Sequence, residues 1–305
     1  MPLNIPDKLP AIELLQKENI FVIDESRASS QDIRPLKIGI LNLMPIKVTT
    51  ETDLLRVLSN TPLQITIDFL KIKNHRHTHT SAEHIEAFYK NFEDVKHEKY
   101  DGLIITGAPV EHLDFEDVSY WDELQKIMNW STTNAMSSLF ICWASQAALH
   151  HFYRVPKYPL DKKMFGIYSC NIKDNRIPIF RGFDDFYQVP HSRHTEVRKE
   201  DIQKISKLEI ISESDIAGVN LVMSRDGRQF FASGHSEYAR RTLDTEYKRD
   251  LDKGLNIEIP VNYYPNDDPN KKPILSWRSG ADLLFTNWLN YYVYQKTPYD
   301  ISSIK

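Results

Sequence analysis

One of the two cysteines in this 305-residue chain, Cys142, stands where a nucleophile could act. The apolar run 138–141 leads into it, and the alanine-rich segment 143–149 that follows is typical of a helix. Unpaired N–H groups at a helix N-terminus favour a thiolate and a developing oxyanion. The alternative is a buried structural cysteine, a frequent role for this residue type. Cys170, inside the strand-like run 167–172, indicates only that structural role.

A thiolate nucleophile needs a base, and the base needs a group that orients it. The run 228–233 leads through Gly234 into His235-Ser236-Glu237. Residues two apart on an extended segment point the same way, so Glu237 can hold the ring of His235. The pattern His-x-Glu also arises by chance, and the alternative is an exposed strand end. The sequence therefore indicates a base and its orienting carboxylate only in combination with Cys142.

Other residues follow predicted strands at the same edge of the sheet. The backbone N–H groups of Ala108 and Trp143 could form an oxyanion hole, or the segment 107–111 could be a simple turn. Lys47 also follows a strand, with an ordinary surface position as the default. His75, His77 and His79 alternate like metal ligands, but no carboxylate or cysteine stands nearby at metal-site spacing. We therefore expect a solvated loop and no metal site at these histidines. The segment 191–194 is polar, and we expect a loop there as well. A basic group at 240–249 could bind a substrate carboxylate or form a solvated helix face.

The elements that must position these residues alternate between strand and helix in the first half of the chain. Apolar or alternating runs predict strands, and the segments between them predict helices. A β-α-β-α-β order of this kind predicts a parallel sheet covered by helices. Thr50 or Thr52 could cap the first of these helices. The predicted strands are 36–44, 63–70, 101–106 and 138–141, and the predicted helices are 50–59, 81–91 and 122–130.

The second half is richer in short strands. Asp226-Gly227 is a hairpin signal between two of them. We predict an N-terminal arm over residues 1–34, with a helix at 11–19, and a single α/β domain over 35–305. The strand candidates are 186–190, 208–212, 220–224 and 228–233, followed by a loop at 262–273 and an aromatic-rich helix at 281–294.

Composition excludes several classes of protein. The formal net charge of −4 argues against a protein that coats nucleic acid. Two cysteines cannot build a disulfide framework or a four-cysteine zinc site. The ten glycines never fall into a dinucleotide-binding or phosphate-loop pattern. No apolar run reaches the roughly 18 residues that would cross a membrane, and the N-terminus lacks an apolar signal core, so we expect a cytoplasmic protein.

Over nearly its whole length the chain resembles the homoserine O-acyltransferases of the homoserine O-succinyltransferase type, which act in bacterial methionine biosynthesis. The segments that carry the resemblance are MPLNIPDKLPA at the N-terminus, NLMPIKVTTETDLLR at 42–56, TGAPVE at 106–111, ICWASQAALHHFY at 141–153, VPHSRHTEV at 189–197 and ASGHSEYARRTLDTEYKRD at 232–250. The resemblance implies a flavodoxin-like fold similar to class I glutamine amidotransferases, with a Cys-His-Glu triad.

The resemblance also implies roles for individual residues. Cys142 would take the acyl group from an acyl-CoA, His235 would deprotonate the γ-hydroxyl of L-homoserine, and Glu237 would orient His235. The family's substrate-binding positions match Lys163, Ser192 and Arg249. The resemblance further implies a homodimer, with acetyl-CoA as a co-substrate and no bound cofactor.

Position 111 is associated in this family with the choice of acyl donor, with Gly for succinyl transfer and Glu for acetyl transfer. This chain has Glu111. A carboxylate there would shorten the acyl pocket and repel the free carboxylate of a succinyl group. We therefore expect acetyl transfer to homoserine. The alternatives are succinyl transfer, a glutaminase with the same triad, and a binding protein without catalysis.

Overall fold

The computed structural model describes residues 3–4, 9–17, 22–23, 34–73 and 80–304. The strands of this part of the chain form one twelve-stranded sheet in the order β2-β1-β4-β3-β6-β7-β12-β11-β10-β8-β9, with β5 paired to β4. The strands are β1 (Leu3–Asn4), β2 (Val22–Ile23), β3 (Leu36–Leu41), β4 (Ile65–Lys71), β5 (Tyr89–Asn91), β6 (Tyr100–Ile105), β7 (Ala135–Ile141), β8 (Tyr158–Ile172), β9 (Phe186–Glu196), β10 (Leu208–Ser214), β11 (Gly218–Ser224) and β12 (Gln229–Ala232).

Helices connect the parallel strands and cover both faces of the sheet. Their bounds are α1 (Ala11–Lys17), α2 (Lys47–Leu58), α3 (Ala82–Phe88), α4 (Phe92–Val95), α5 (Trp121–Asn134), α6 (Trp143–Tyr153), α7 (Lys199–Gln203), α8 (Thr242–Asp252) and α9 (Arg278–Asn287), which continues as a π-helix over Trp288–Tyr294. Short 3₁₀ turns lie at Phe115–Asp117, Pro178–Phe180, Pro265–Asp267 and Ile301–Ser303.

Strand pairing in the sheet changes from parallel to antiparallel at β12. Strand β12 pairs in parallel with β7 on one side and antiparallel with β11 on the other. Strands β8 to β11 are then antiparallel to one another. The carboxyl ends of β6, β7 and β12 consequently meet at one edge, where open α/β sheets bind their ligands.

Two apolar clusters pack on the opposite faces of the sheet. Successive residues of a strand point to opposite faces, and β6 follows this rule: Ile104 belongs to one cluster, while Leu103 and Ile105 belong to the other. Both clusters draw residues from the parallel half and from the antiparallel half. The core is therefore continuous across β12, where strand pairing changes from parallel to antiparallel.

The predicted parallel sheet with helical connections is confirmed, and so is the Asp226-Gly227 hairpin between β11 and β12. The predicted start of the helix at 50–59 was wrong. Helix α2 begins at Lys47, and Thr52 lies inside it with Oγ1 bonded to the carbonyl of Val48. The helix expected at 81–91 ends at Phe88, and its last residues form β5. In the predicted arm, β1 joins the edge of the sheet beside β4, and the boundary at residue 34 stays a prediction.

No helix within the described parts of the chain is long and apolar enough to cross a membrane.

Candidate active site

Cys142 lies at a tight turn between β7 and α6. Its backbone has φ 53° and ψ −117°, a conformation that L-residues rarely adopt. The turn is fixed from two sides: the N–H of Cys142 donates to the carbonyl of Ala232 at 2.7 Å, and its own carbonyl accepts from Ser145 N at 2.9 Å. The side chain is thereby held at the N-terminus of α6, as the sequence predicted, and the residue is 6% exposed.

His235 follows β12, the strand beside β7. Its backbone N–H donates to the carbonyl of Pro190 at 2.8 Å, and its ring stacks on Tyr238 with 4.1 Å between centroids. Glu237 Oε1 lies 2.7 Å from His235 Nδ1, which fixes the ring and leaves Nε2 for a second partner. Cys142 lies beside the same ring, where its charge and hydrogen bonding act on His235. The fold therefore brings together all three residues of the predicted triad.

The charges of the three residues support one another. Burial alone would lower the pKa of His235, because an imidazolium loses its hydration. The negative charges of Cys142 and Glu237 outweigh that effect and raise the pKa well above its ordinary value. The protonated form of His235 is consequently favoured beside these two groups.

Gly107 lets the loop after β6 approach the triad closely. A Cβ at Gly107 would lie 3.3 Å from Cys142 Cβ and 3.6 Å from His235 Cε1. The loop that contains Ala108 thus passes directly against the nucleophile, and Trp143 is the first residue of α6. Ala108 follows Gly107 directly and Trp143 follows Cys142, and the role of their backbone N–H groups as an oxyanion hole stays a prediction.

Glu111 reaches the same site from the loop after β6. Its Oε2 accepts a hydrogen bond from His194 N at 2.7 Å and lies 3.3 Å from Thr195 Oγ1. Thr195 is in turn bonded to Gln146 of α6: its hydroxyl lies 2.8 Å from Gln146 Oε1, and its carbonyl accepts from Gln146 Nε2 at 3.1 Å. The carboxylate of Glu111 is thus connected to the helix that Cys142 begins.

The three residues predicted to bind substrate converge on one side chain that the sequence reasoning missed. Lys163 Nζ lies 2.6 Å from Glu246 Oε1, Ser192 Oγ donates to the same oxygen at 2.8 Å, and Arg249 Nη2 lies 3.8 Å from it. Glu246 is three residues before Arg249 on α8, so the helical period places both on one face. Its contacts with Lys163 and Ser192 come from other elements, so no local signal in the sequence could have found it. Together the four groups offer both charges to a small zwitterion.

Two further polar residues are buried behind the site. Arg193 Nε donates to His191 Nδ1 at 3.3 Å, and its Nη1 donates to the carbonyl of Thr195 at 2.7 Å. Burial lowers the pKa of His191 well below its ordinary value, so its ring is neutral. The expectation of a polar loop at 191–194 was wrong, because these residues belong to β9.

The remaining candidates are Lys47, Cys170 and the three alternating histidines. Lys47 is buried, and its ammonium donates to the carbonyl of Asn42, so the surface default was wrong. Cys170 is buried in β8, and burial raises the pKa of its thiol to about 12. His75, His77 and His79 lie outside the described residues. Within the ranges that are described, no group of three or more metal-binding side chains comes together.

Comparison with known proteins places the chain in a family. The family model described as homoserine O-succinyltransferase matches residues 2–299. A homoserine O-acetyltransferase of Phocaeicola vulgatus is 64% identical over 305 residues, and one of Bacteroides thetaiotaomicron is 63% identical. One of Brevibacillus brevis is 56% identical. Each of these alignments covers 100% of this chain and 100% of the relative.

Solved structures of low sequence identity share the fold. A glutamine amidotransferase of Thermotoga maritima matches with a TM-score of 0.56 at 14% identity, covering 86% of this chain and 100% of its own. A glutamine amidotransferase of Methylobacillus flagellatus matches with a TM-score of 0.51 at 10% identity, covering 85% of this chain and 95% of its own. The predicted fold class, similar to class I glutamine amidotransferases, is therefore confirmed.

Proposed function

We infer that this chain, which belongs to the homoserine O-succinyltransferase family, is an enzyme that transfers an acetyl group from acetyl-CoA to the γ-hydroxyl of L-homoserine. The products are O-acetyl-L-homoserine and CoA. The family match and the full-length relatives named homoserine O-acetyltransferase support acylation of homoserine. The observation that carries the mechanism is the hydrogen-bonded series Cys142, His235 and Glu237.

In the first half-reaction, the thiolate of Cys142 attacks the thioester carbonyl of acetyl-CoA. A bond forms between Sγ and the acetyl carbon, and the bond from that carbon to the sulfur of CoA breaks. The imidazolium of His235 gives its proton to the departing sulfur, so CoA leaves as a thiol. The backbone N–H groups of Ala108 and Trp143 stabilise the oxyanion formed in between. The enzyme then carries an acetyl-thioester on Cys142.

In the second half-reaction, His235 acts as a base toward homoserine. The thioester is uncharged, so one of the two negative charges that raise the pKa of His235 is gone, and burial shifts the balance toward the neutral ring. Neutral His235 removes the proton of the γ-hydroxyl as the oxygen attacks the acetyl carbon. The thiolate of Cys142 leaves, and the starting ion pair with His235 is restored.

The charged groups around Glu246 suit the other end of homoserine. Arg249 and Lys163 would bind the substrate carboxylate, with Ser192 as a hydrogen-bond donor. Glu246 would then accept from the substrate's α-amino group. In the structure Glu246 and Asp250 together pair with Lys163 and Arg249, and Asp250 is the nearer partner of Arg249, at 2.7 Å. The zwitterionic substrate would exchange some of these ion pairs for its own.

Glu111 selects the acyl donor in this proposal. Its carboxylate closes the pocket beside Gln146 and would lie close to the free carboxylate of a succinyl group. Replacing Glu111 with Gly removes both the bulk and the charge. We expect Glu111→Gly to shift the ratio of kcat/KM from acetyl-CoA toward succinyl-CoA by at least about tenfold, because repulsion between partly buried like charges is discriminating. A variant that stays strictly specific for acetyl-CoA would contradict this role.

The function is tested by measuring release of CoA and formation of the homoserine ester with acetyl-CoA or succinyl-CoA, side by side. Without homoserine, mass spectrometry should find one acetyl group on the wild-type chain and none on Cys142→Ala. Cys170→Ala is the matched control and should still be acetylated. Release of ammonia from glutamine without any CoA ester would instead identify a glutaminase, and an acetyl adduct that persists in Cys142→Ala with full turnover would rule out the mechanism.

The resemblance further predicts a cytoplasmic homodimer, and sedimentation of the purified enzyme tests the dimer.

A further inference from the structure

The loop that carries Glu111 contains no helix or strand of its own. Residues 106–114 link β6 to the 3₁₀ turn at Phe115–Asp117. Two internal backbone hydrogen bonds shape the loop, from Val110 N to Ala108 O at 2.9 Å and from Leu113 N to Val110 O at 3.1 Å. Ala108 and Val110 also pack in one of the apolar clusters. One polar contact from outside the loop holds the main chain of Glu111 itself.

That contact is Lys157, in the short link between α6 and β8. Its Nζ donates to the carbonyl of Glu111 at 2.8 Å and also to the carbonyl of Leu113. The ammonium lies 4.7 Å from the centre of the Phe115 ring, which is itself buried. Within the described residues Lys157 forms no ion pair with a carboxylate, although Asp114, Glu111 and Glu116 are near enough to attract it. The ammonium is therefore used to hold two peptide carbonyls, and burial lowers its pKa accordingly.

Glu111 is thus held at both of its ends. Lys157 binds its main-chain carbonyl, and the N–H of His194 on β9 binds its carboxylate at 2.7 Å. A glutamate side chain has three rotatable bonds between these two points. With both ends held, the carboxylate has one position and the pocket beside it has one depth. With the main chain released, the loop can withdraw and the pocket can lengthen by the size of a methylene group.

We propose that Lys157 is a positioning residue for acyl-donor selectivity, which acts by holding the loop of Glu111 against the site. This inference rests on the proposed function, since it assigns Lys157 to the same choice of acyl group. Lys157 does not touch the reacting atoms, and its effect passes through Glu111. Its removal therefore changes which acyl chain is accepted more than it changes recognition of homoserine.

The test is the Lys157→Met variant, which keeps the length of the side chain and removes the ammonium. Values of kcat/KM are measured for acetyl-CoA, propionyl-CoA and butyryl-CoA. We expect the preference for acetyl over propionyl to fall by about tenfold, the lower end of the discrimination that one methylene group supports. The KM for homoserine should stay within about twofold of the wild-type value. Lys162→Met is the matched control, because Lys162 is exposed and pairs with Glu258.

A second background separates positioning from general damage. If Lys157 acts through Glu111, Lys157→Met should leave donor preference unchanged when added to Glu111→Gly. An equal loss of kcat/KM for all three donors, or an undiminished effect in the Glu111→Gly background, overturns the proposal. Should Lys157→Met fail to fold, Lys157→Gln removes the charge with a polar side chain and must change the preference in the same direction. Failure of the proposed function would show separately, as absence of acetyl transfer by the wild-type enzyme.

Discussion

At the scale of single residues, the charge of Cys142 controls the charge of His235. The imidazole is fully enclosed by protein, and only its two anionic neighbours make the protonated form favourable. Loss of one neighbour shifts the balance back toward the neutral ring. The same histidine can therefore serve as an acid before acetylation and as a base afterwards.

Removing the thiolate should accordingly lower the pKa of His235. In Cys142→Ala the attraction from Cys142 and its hydrogen bond are absent, while burial and Glu237 remain. We expect the pKa to fall, and to fall further when Glu237→Gln is added. Titration of the ring by NMR with labelled histidine measures it, with Cys170→Ala as the control that should titrate like the wild type. An unchanged pKa in Cys142→Ala would show that the thiolate does not control the base.

The triad residues could be predicted from sequence because each has a local signal. Cys142 stands between a strand and a helix, and His235 and Glu237 are two positions apart on an extended segment. Glu246 and Lys157 have no such signal. Glu246 matters because residues from β8, β9 and α8 meet there, and Lys157 matters because it reaches the carbonyls of a distant loop. Contacts of this kind depend on the packing of several elements, which no spacing along the chain reveals.

At the scale of elements, the turn from β7 into α6 is strained so that it can present the thiol. A non-glycine residue in such a conformation costs about 1–3 kcal/mol. The surrounding bonds from Ala232 and Ser145 compensate for part of this. The same backbone would be easy for glycine, which has no Cβ to crowd the neighbouring carbonyl.

Cys142→Gly should therefore be more stable than Cys142→Ala, although both are inactive. We expect the free energy of unfolding of the glycine variant to be higher by about 1 kcal/mol, as relief of strain exceeds the entropy gained by the unfolded chain. Urea titration followed by circular dichroism measures the difference. The matched control is Ala144→Gly, two residues further along the chain and inside α6. The free energy of unfolding of this variant should be lower than that of the wild type by at least about 0.5 kcal/mol. Equal stability of the two Cys142 variants would mean that the turn carries no strain.

The elements of the parallel half follow from sequence better than those of the antiparallel half. Buried parallel strands are apolar throughout, so β3, β4, β6 and β7 have distinct patterns. Strand β8 extends over Tyr158–Ile172, and its first half contains the charged run 161–163, which is typical of a loop. Strand β8 pairs with β9 on either side of this run, at Tyr158 and Pro159 before it and from Met164 after it, and the register shift falls across the run itself. The same irregular segment contains Lys163, which pairs with Glu246 in the site.

At the scale of the whole molecule, the two halves of the chain share one sheet and one site. The first half supplies Cys142 and Glu111, and the second half supplies His235, Glu237 and the groups around Glu246. Strand β12 comes from the second half but lies between β7 and β11, so it joins the halves through hydrogen bonds on both sides. Neither half can complete its sheet or bury its apolar face alone.

The two halves should consequently unfold together, as the predicted single domain over 35–305 requires. Cys170 reports on the second half, because it is 0% exposed in β8 and can react only when that half opens. In Cys142→Ala it is the only thiol of the chain. Pulsed alkylation of Cys170 across a urea titration should give the same midpoint as far-UV circular dichroism, which averages over all helices and strands. If Cys170 became reactive at a clearly lower urea concentration, the antiparallel half would be a separate unit, and the site would be lost before the parallel sheet.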